Sequence, residues 1–269
     1  MLKIEGLDEG ATPDGLAVGD ELIDETDSAE EDDAWLVALD QLTAPQTEHV
    51  ITQLTAGVRN PNRVNVFLDG RFAFSLDVTQ VVDFGLKSGQ KISPDRYDEL
   101  ENASEFGKLY QRTLEWVLVR PRSLYEVQSY LKQRQARRRI LNKQREHQEL
   151  KPLPEFPDSM LDVVVARIKE KDYVDDCRFA EYYIENRYVR RGISHKRLRL
   201  ELSQKGVAAD IIETALRKIG RPEDEEILKI IAKKYKKYDE TKLTEYLVRQ
   251  GFSYQQAKTA VAKWYEEHN

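Results

Sequence analysis

A short helical pattern occurs three times in the last two thirds of this 269-residue chain, and it constrains the fold more than any other feature. Each copy begins with Ser or Asp and carries apolar residues four and eight positions later, which is one stripe of an amphipathic helix. The three copies are SLYEVQSYLKQR from Ser123, SHKRLRLELSQKGV from Ser194 and DETKLTEYLVRQGF from Asp239. A chain that repeats one helical module forms an extended surface more readily than a single catalytic pocket.

The ends of the repeated helix carry start and stop signals. The side-chain oxygens of Ser123, Ser194 and Asp239 can accept a hydrogen bond from a backbone N–H of the first turn, which is the role of an N-cap. Gly206 and Gly251 stand where the second and third copies should end. Glycine enters the left-handed conformation without a Cβ clash, so it is typical of helix C-termini. We therefore predict a capped helix in each copy.

Before the repeats, the hydrophobic pattern has period two. Apolar residues alternate in 64–68 and again in 72–76, and Asp69-Gly70 stands between the two runs. Asp-Gly in this context is the strongest short-range signal for a β-hairpin, because both residues tolerate the positive φ of a type I′ turn. The run Val50 to Thr55 is expected to add a third strand.

Helical periodicity follows the predicted hairpin and continues almost to the end of the chain. Capping signals predict a short helix from Asp77 and another helix start at Ser93-Pro94, and periodicity predicts a helix from about Ser104 to Val119. The residues 136–150 contain no Gly or Pro, so they are expected to continue the helix that begins at Ser123.

Charge is distributed unevenly along the chain. The formal net charge is −6, yet residues 1–46 alone carry fourteen acidic residues against Lys3, a net of −13, so the rest carries +7. A segment with such like-charge density and few apolar residues is predicted to be a disordered tail. The basic remainder of the chain points to an acidic or phosphate-bearing partner.

Several classes of protein are disfavoured by the composition. No run approaches the roughly 18 to 20 apolar residues that cross a bilayer, and the N-terminus lacks the order of a signal peptide. The single Cys177 excludes an internal disulfide and a cysteine zinc cluster. The phosphate-binding loop of nucleotide hydrolases is absent. We expect a cytoplasmic protein without a membrane partner or cofactor.

The strongest candidate for a binding site is a basic stripe in the second copy. Seven Lys or Arg occur with Glu201 as the one acidic residue among them, which is the electrostatic footprint of a phosphate or acidic-protein ligand. The seven residues are Arg187, Arg190, Arg191, Lys196, Arg197, Arg199 and Lys205. A solvated surface without a ligand is the alternative. Arg187 could instead pair with Asp175 or Asp176 inside the module.

A second basic stretch lies between Lys132 and Lys151, with eight basic residues against Glu146 and Glu149. As a helical extension it could bring Arg137, Arg138 and Arg139 to DNA phosphates. A bare solvated extension is an equally good interpretation.

Carboxylates and tyrosines are further candidates. Asp175, Asp176, Glu181 and Glu185 could form the metal cluster of a nuclease, because two of them share a helix face. Acids at a helix N-terminus also complement the macrodipole, and the later pair can meet nearby cations, which is the stronger interpretation. We therefore predict no catalytic residues and no metal site. Core packing is the better interpretation for Tyr183 and Tyr235, whereas Tyr182 and Tyr188 could stack on bases.

The segment 173–207 combines several short motifs, which are Asp175-Asp176, Arg178-Phe179-Ala180, Arg187, Arg191-Gly192-Ile193-Ser194, Leu198, Leu202 and Lys205-Gly206. In these features it resembles the signature of the RecX family of bacterial recombination regulators. The hairpin FLDGRFAFSLD and the connection VRPRS before the first copy also look like that family. The resemblance implies three-helix repeats that lie in the groove of the RecA filament on DNA and restrain filament growth, ATP hydrolysis and strand exchange. Relative to the family pattern, the second basic stretch is a long insertion.

These observations predict a mainly α protein. Three tandem three-helix repeats in a curved array follow a small β-hairpin element and a disordered acidic N-terminal tail. The predicted boundaries are 1–46 for the tail, 47–102 for the hairpin element with short helices, 103–172 for the first repeat with its basic insertion, 173–220 for the second repeat and 221–269 for the third.

The function predicted with the help of the resemblance is regulation of homologous recombination, in DNA repair and the SOS response, without enzymatic activity. The protein would bind the RecA filament and single- and double-stranded DNA as a monomer, and would inhibit the ATPase and strand exchange of RecA. The alternative left open is a sequence-tolerant DNA-binding protein that acts without RecA, since tandem three-helix modules resemble helix-turn-helix domains.

Overall fold

The computed structural model describes residues 48–58 and 60–268, and the predicted acidic tail lies outside these residues. The described residues divide into two compact units, one that ends at Asp98 and one that begins at Glu99. Over the described residues the protein is mainly α with a small antiparallel strand element before the helices, as predicted. No helix in those residues is long and apolar enough to cross a membrane.

The first unit contains a four-stranded antiparallel sheet in the order β3-β2-β1-β4. Its strands are β1 (His49–Ala56), β2 (Arg63–Leu68), β3 (Arg71–Asp77) and β4 (Lys91–Ile92). Leu68 pairs with Arg71, so Asp69 and Gly70 alone form the turn, with φ of 48° and 82°. These are the positive φ values that a two-residue type I′ hairpin requires. The predicted hairpin and third strand are confirmed, and the two-residue β4 was not predicted.

Two helices follow strands of this sheet. Helix α1 (Val78–Asp83) ends before Gly85, whose φ is 62°. Helix α2 (Pro94–Leu118) begins at the predicted Pro94 but is continuous, so the separate helix start expected at Ser104 is wrong. Tyr97, Leu100 and Ser104 are all buried and spaced three and four residues apart. One buried face therefore continues through the position where a break was expected.

Eight further helices form the rest of the second unit. They are α3 (Leu124–His147), α4 (Asp158–Glu170), α5 (Asp176–Asn186), α6 (His195–Gln204), α7 (Ala209–Ile219), α8 (Glu223–Lys234), α9 (Glu240–Arg249) and α10 (Tyr254–His268). The predicted apolar stripes are buried in three separate clusters: Val127 and Leu131 in the first, Leu198 and Leu202 in the second, Leu243 and Leu247 in the third. We call the three groups of helices module 1 (99–172), module 2 (173–220) and module 3 (221–268).

The predicted caps of the repeated helix are confirmed. Ser123 accepts from the Glu126 N–H at 3.1 Å, Ser194 from the Arg197 N–H at 3.2 Å, and Asp239 from the Lys242 N–H at 2.8 Å. Gly206 and Gly251 follow the second and third copies with φ of 76° and 100°. In module 1 no glycine stands at the equivalent position, and α3 continues for about three further turns.

Candidate functional site

The basic insertion of module 1 forms an arm, which we define as residues 133–157. Helix α3 runs to His147, as predicted, and the chain then returns along it. Side chains on one face of α3 hold the returning backbone: Gln135 donates to the Phe156 carbonyl (2.7 Å), Arg138 to Pro154 (3.2 Å), Asn142 to Leu153 (2.9 Å) and Arg145 to Lys151 (2.8 Å). Their spacing of three and four residues places them on one face of the helix. The insertion is therefore an ordered element.

The three arginines predicted in the arm differ in their surroundings. Arg138 forms an ion pair with Glu105 at 3.1 Å and lies over the Phe156 ring at 4.4 Å, so it is part of the packing of the arm. Arg137 and Arg139 are both exposed. Arg138 is therefore the arginine of the three that is committed to the interior of the arm.

The seven residues of the basic stripe in module 2 also differ in their surroundings. Arg187 and Arg197 share the carboxylate of Glu201 at 2.8 and 3.0 Å, and Lys205 pairs with Glu126 of module 1 at 2.8 Å. Arg187 has a structural role, but its partner is Glu201 rather than Asp175 or Asp176. Those acids lie at the far end of α5, about 16 Å away at 1.5 Å per residue.

Glu201 is the centre of this internal cluster. Burial raises the pKa of its carboxyl, but hydrogen bonds from Arg187, Tyr183 and Arg197 outweigh burial and lower the pKa below its usual range. The Tyr183 hydroxyl donates to Glu201 at 2.7 Å, and its ring packs against the module 2 core, as expected for this tyrosine.

The ring of Tyr188 is covered by the Arg187 guanidinium at 4.0 Å. That face of Tyr188 is occupied by a cation, so a base could not stack on it without displacing Arg187.

Arg199 has a third kind of environment. It forms a double hydrogen bond with Glu213 of α7, at 2.6 and 3.1 Å, and both side chains are about half exposed. The pair neutralises the charge that the sequence assigned to the stripe. Arg199 is therefore a weaker candidate for an anionic partner than an unpaired cation.

The remaining stripe residues are Arg190, Arg191 and Lys196. Arg190 and Arg191 are exposed, and in residues 48–58 and 60–268 none of the three forms an ion pair with a carboxylate. The loop that carries Arg190 and Arg191 is bounded by positive φ at Tyr188 (48°) and Gly192 (81°). The Tyr188 carbonyl accepts from the N–H groups of Arg191 and Gly192, so the loop is a defined turn.

Module 3 adds a cation that was not predicted from the sequence. The Nζ of Lys233, near the end of α8, donates to the Arg190 carbonyl at 2.5 Å, and the Lys233 side chain is exposed. The signal was present as the run KKYKK at 233–237, but only the fold brings Lys233 to module 2. We call Arg190, Arg191, Lys196 and Lys233 the cationic surface.

Successive modules meet through an arrangement that occurs twice, which we call joint 1 (modules 1 and 2) and joint 2 (modules 2 and 3). In joint 1 the Ser123 hydroxyl donates to the Lys205 carbonyl at 2.8 Å, and the Leu124 N–H donates to Asp176 at 2.8 Å. In joint 2 the equivalent bonds run from Ser194 to the Gln250 carbonyl at 2.7 Å and from the His195 N–H to Glu223 at 2.8 Å. The capping serine thus also binds the end of the repeated helix in the next module.

Two further positions are equivalent in the joints. Three residues after each serine, Glu126 binds Lys205 at 2.8 Å and Arg197 binds the Gln250 side chain at 2.7 Å. A Cβ on Gly206 would lie 2.5 Å from the Tyr125 Cβ, and one on Gly251 would lie 2.6 Å from the Ser194 Oγ. The glycines therefore permit close approach of the next module as well as a positive φ.

Joint 2 contains an additional buried ion-pair network. The Glu226 side chain is 1% exposed and accepts from the Ile193 N–H at 3.0 Å and from Arg221 at 2.8 Å. Arg221 also donates to the carbonyls of Ile184 and Arg187, at 2.8 and 2.7 Å, at the end of α5. Burial raises the pKa of Glu226, but hydrogen bonds from Arg221 and Lys229 outweigh it and lower the pKa.

The carboxylates considered for a nuclease have other roles. Asp175 caps α5 by accepting from the N–H groups of Cys177 and Arg178, at 2.7 and 3.2 Å. Asp176 belongs to joint 1, and Glu181 pairs with Lys218 at 2.6 Å. Among the described residues no group of three His, Cys, Asp or Glu side chains could hold a metal ion.

Comparison with known proteins identifies the family. Residues 49–93 match the model of the regulatory protein RecX N-terminal domain, and residues 175–216 match that of the RecX second three-helix domain. The regulatory protein RecX of Bacillus pumilus is 27% identical over 226 residues, which cover 80% of this chain and 78% of that protein. The RecX of Clostridium acetobutylicum is 22% identical over 234 residues, covering 82% of this chain and 99% of that protein.

A solved structure shows the same fold. The crystal structure of a regulatory protein RecX covers 79% of this chain and 98% of its own chain, with a TM-score of 0.53 and 19% sequence identity. Both matched segments coincide with elements described above, the antiparallel sheet and module 2. The chain belongs to the RecX family of regulatory proteins.

Proposed function

We propose that this protein is a non-enzymatic, monomeric regulator of homologous recombination that binds the RecA filament on DNA and lowers its ATP hydrolysis and strand exchange. Membership of the RecX family supports the RecA context. The observation that carries the binding proposal is the cationic surface, in which three cations of module 2 and one of module 3 lie near joint 2.

The charges of this surface favour an anionic partner. Arg190, Arg191 and Lys196 are not neutralised by an ion pair within the described part of the chain, so their field extends into solvent. Contacts of such cations with DNA phosphates release counterions, which gives affinity without reading sequence. We assign phosphate contacts on the filament to this surface. Arg187, Arg197 and Lys205 are assigned to the interior of the modules and their joints, and Arg137 and Arg139 of the arm form a second candidate surface.

An ATPase titration tests the proposed activity. Increasing amounts of the protein are added to RecA on single-stranded DNA with saturating ATP, and steady-state hydrolysis is measured. We expect hydrolysis to fall at sub-stoichiometric ratios, because one regulator on a filament can affect several RecA subunits. Hydrolysis that stays unchanged through an equimolar ratio contradicts the proposal.

A charge-reversal variant tests the surface. Arg190→Glu, Arg191→Glu and Lys196→Glu together should weaken filament binding, and the salt slope should fall by roughly 0.7 to 0.9 for each phosphate that the variant no longer binds. The matched control reverses the exposed Lys169, Lys171 and Lys258, which gives the same change in net charge. Exposed substitutions usually cost within about 0.5 kcal/mol of stability, so helical content should be retained in both variants. Equal weakening in the two variants would show that net charge, rather than this surface, drives binding.

The same cationic surface would also serve a DNA-binding protein that acts without RecA. Affinity for single-stranded DNA, measured with and without RecA and a non-hydrolysable nucleotide, separates the two functions. We expect RecA to raise the affinity strongly. An affinity independent of RecA would favour the alternative.

A further inference from the structure

We infer that joint 1 is a hinge on which module 1 turns, whereas joint 2 holds modules 2 and 3 as one body. The inference concerns the second unit alone and does not depend on the proposed function. Each of the three modules has its own buried apolar cluster, so the contacts at the joints set the orientation of one module relative to the next.

The bonds that the joints share do not distinguish them. Each has a serine hydroxyl on a helix-terminal carbonyl, a backbone N–H on a carboxylate and a glycine that lets the next module approach. The distances all lie between 2.7 and 2.8 Å. Any difference in rigidity must come from the residues around this common arrangement.

At joint 2 the surrounding residues Arg221, Glu226 and Ile193 form a network of directional hydrogen bonds, which we call the clasp. Arg221 joins the end of α5 in module 2 to Glu226 on α8 in module 3, and Glu226 also binds the Ile193 N–H. The His195 ring makes a hydrogen bond to the Arg221 carbonyl at 2.6 Å. Rotation at joint 2 would break the bonds of Arg221 to the two carbonyls of module 2 and the bond of Glu226 to the Ile193 N–H, and would leave buried polar groups without partners.

At joint 1 the equivalent positions cannot form such a clasp. Asp176 and Glu223 each open their helices, so Glu226 corresponds to Phe179 and Arg221 corresponds to Val174. Phe179 lies in the core of module 2, and Val174 packs against the core of module 1. Apolar contacts are non-directional, so they tolerate a change of angle that hydrogen bonds between charged groups do not.

The ion pairs of the two joints also differ in exposure. The Glu126–Lys205 pair crosses joint 1, and its side chains are 13% and 22% exposed. The Glu226–Arg221 pair lies within module 3, where it positions the groups that bind module 2, and its side chains are 1% and 10% exposed. Salt screens accessible pairs more than buried ones. Raising the salt concentration should therefore loosen joint 1 and leave joint 2 unchanged.

Distance measurements in the full chain test the hinge. Cys177, which is exposed, is first replaced by Ser, and pairs of spin labels are then placed at exposed residues. Gln133→Cys with Ser203→Cys spans joint 1, and Ser203→Cys with Glu245→Cys spans joint 2. We expect the distribution of distances across joint 1 to be about twofold wider, because weakly held elements open at low free-energy cost.

Salt and a point variant complete the test. Between 0.1 M and 1 M salt, where the screening length falls from about 10 to about 3 Å, the joint 1 distribution should widen while that of joint 2 stays constant. Glu126→Gln should widen joint 1 at low salt, since glutamine can still accept from the Ser123 N–H but loses the charge that binds Lys205. The exposed Glu225→Gln serves as the control. Equal widths for the two joints at both salt concentrations, or no effect of Glu126→Gln, would overturn the inference.

Discussion

Joint 1 and joint 2 use the same backbone arrangement but have opposite electrostatic character. In joint 1 the residue three positions after the serine is Glu126, which pairs with Arg120 at 3.3 Å and with Lys205. In joint 2 the equivalent residue is Arg197, and the counterpart of Arg120 is the exposed Arg191. Arg197 pairs with Glu201, so Arg191 lacks the carboxylate that Glu126 offers to Arg120 and belongs to the cationic surface.

The carboxyl of Glu126 reflects this neutralisation. Burial raises its pKa, but the hydrogen bond from Lys205 and the charge of Arg120 outweigh burial and lower the pKa. Glu126 therefore carries a full negative charge at neutral pH. The two joints show that the location of a binding surface in a repeat protein depends on whether the charged side chains at each joint are paired.

The largest effect expected at the joints is that of Glu226→Ala. Removing one partner of a buried ion pair leaves Arg221 uncompensated, which costs about 3 to 5 kcal/mol. We expect the free energy of unfolding, measured by urea denaturation, to fall by about this amount, and joint 2 to lose its rigidity. The control is the neighbouring exposed Glu225→Ala, expected to stay within about 0.5 kcal/mol. A small loss of stability for Glu226→Ala would remove the main difference between the joints.

The glycines of the two joints give the second prediction. Gly206→Ala and Gly251→Ala meet both a positive φ and a close neighbour, whereas Gly220, with φ of 59°, has nothing within 4 Å of an added Cβ. We expect Gly220→Ala to cost about 1 to 2 kcal/mol from backbone strain alone. The joint variants should cost more, because the next module must move away, and thermal unfolding of the three variants measures the difference. If all three lost equal stability, close approach at the joints would not matter.

The capping residues give the smallest effect. Ser123→Ala and Ser194→Ala each lose an N-cap bond and a bond to the next module, whereas Asp239→Ala loses a cap on a side chain that is 58% exposed. Loss of a cap costs about 0.5 to 2 kcal/mol, and a further hydrogen bond about 1 kcal/mol. The serine variants should therefore be destabilised by about 1 kcal/mol more than the aspartate variant in urea denaturation. Equal losses of stability would mean that the bond across the joint adds nothing.

Local signals in the sequence predicted the elements of this fold well. The repeated stripe, the capping residues and the Asp-Gly turn each depend on neighbours close in sequence, and each is confirmed. The separate helix start expected near Ser104 is the exception, because α2 runs continuously from Pro94. Tyr97, Leu100 and Ser104 share one buried face, so the helix continues through that position.

The candidate site was harder to predict, because whether each cation is paired depends on residues that are distant in sequence. Arg197 and Lys205 looked equivalent to Arg190 and Lys196 as members of one basic run. The fold gives Lys205 a partner 79 residues away and Arg197 one that is 53 residues away, and it brings Lys233 to Arg190 from 43 residues away.

The sequence by itself determined that this protein would form repeated, capped helices with a basic character, because periodicity and capping act over one or two helical turns. Only the tertiary structure decided which cations remain available to a partner and which joint is clasped. Charges interact through space rather than along the chain, so the role of a cation is fixed only when folding places, or does not place, a carboxylate beside it.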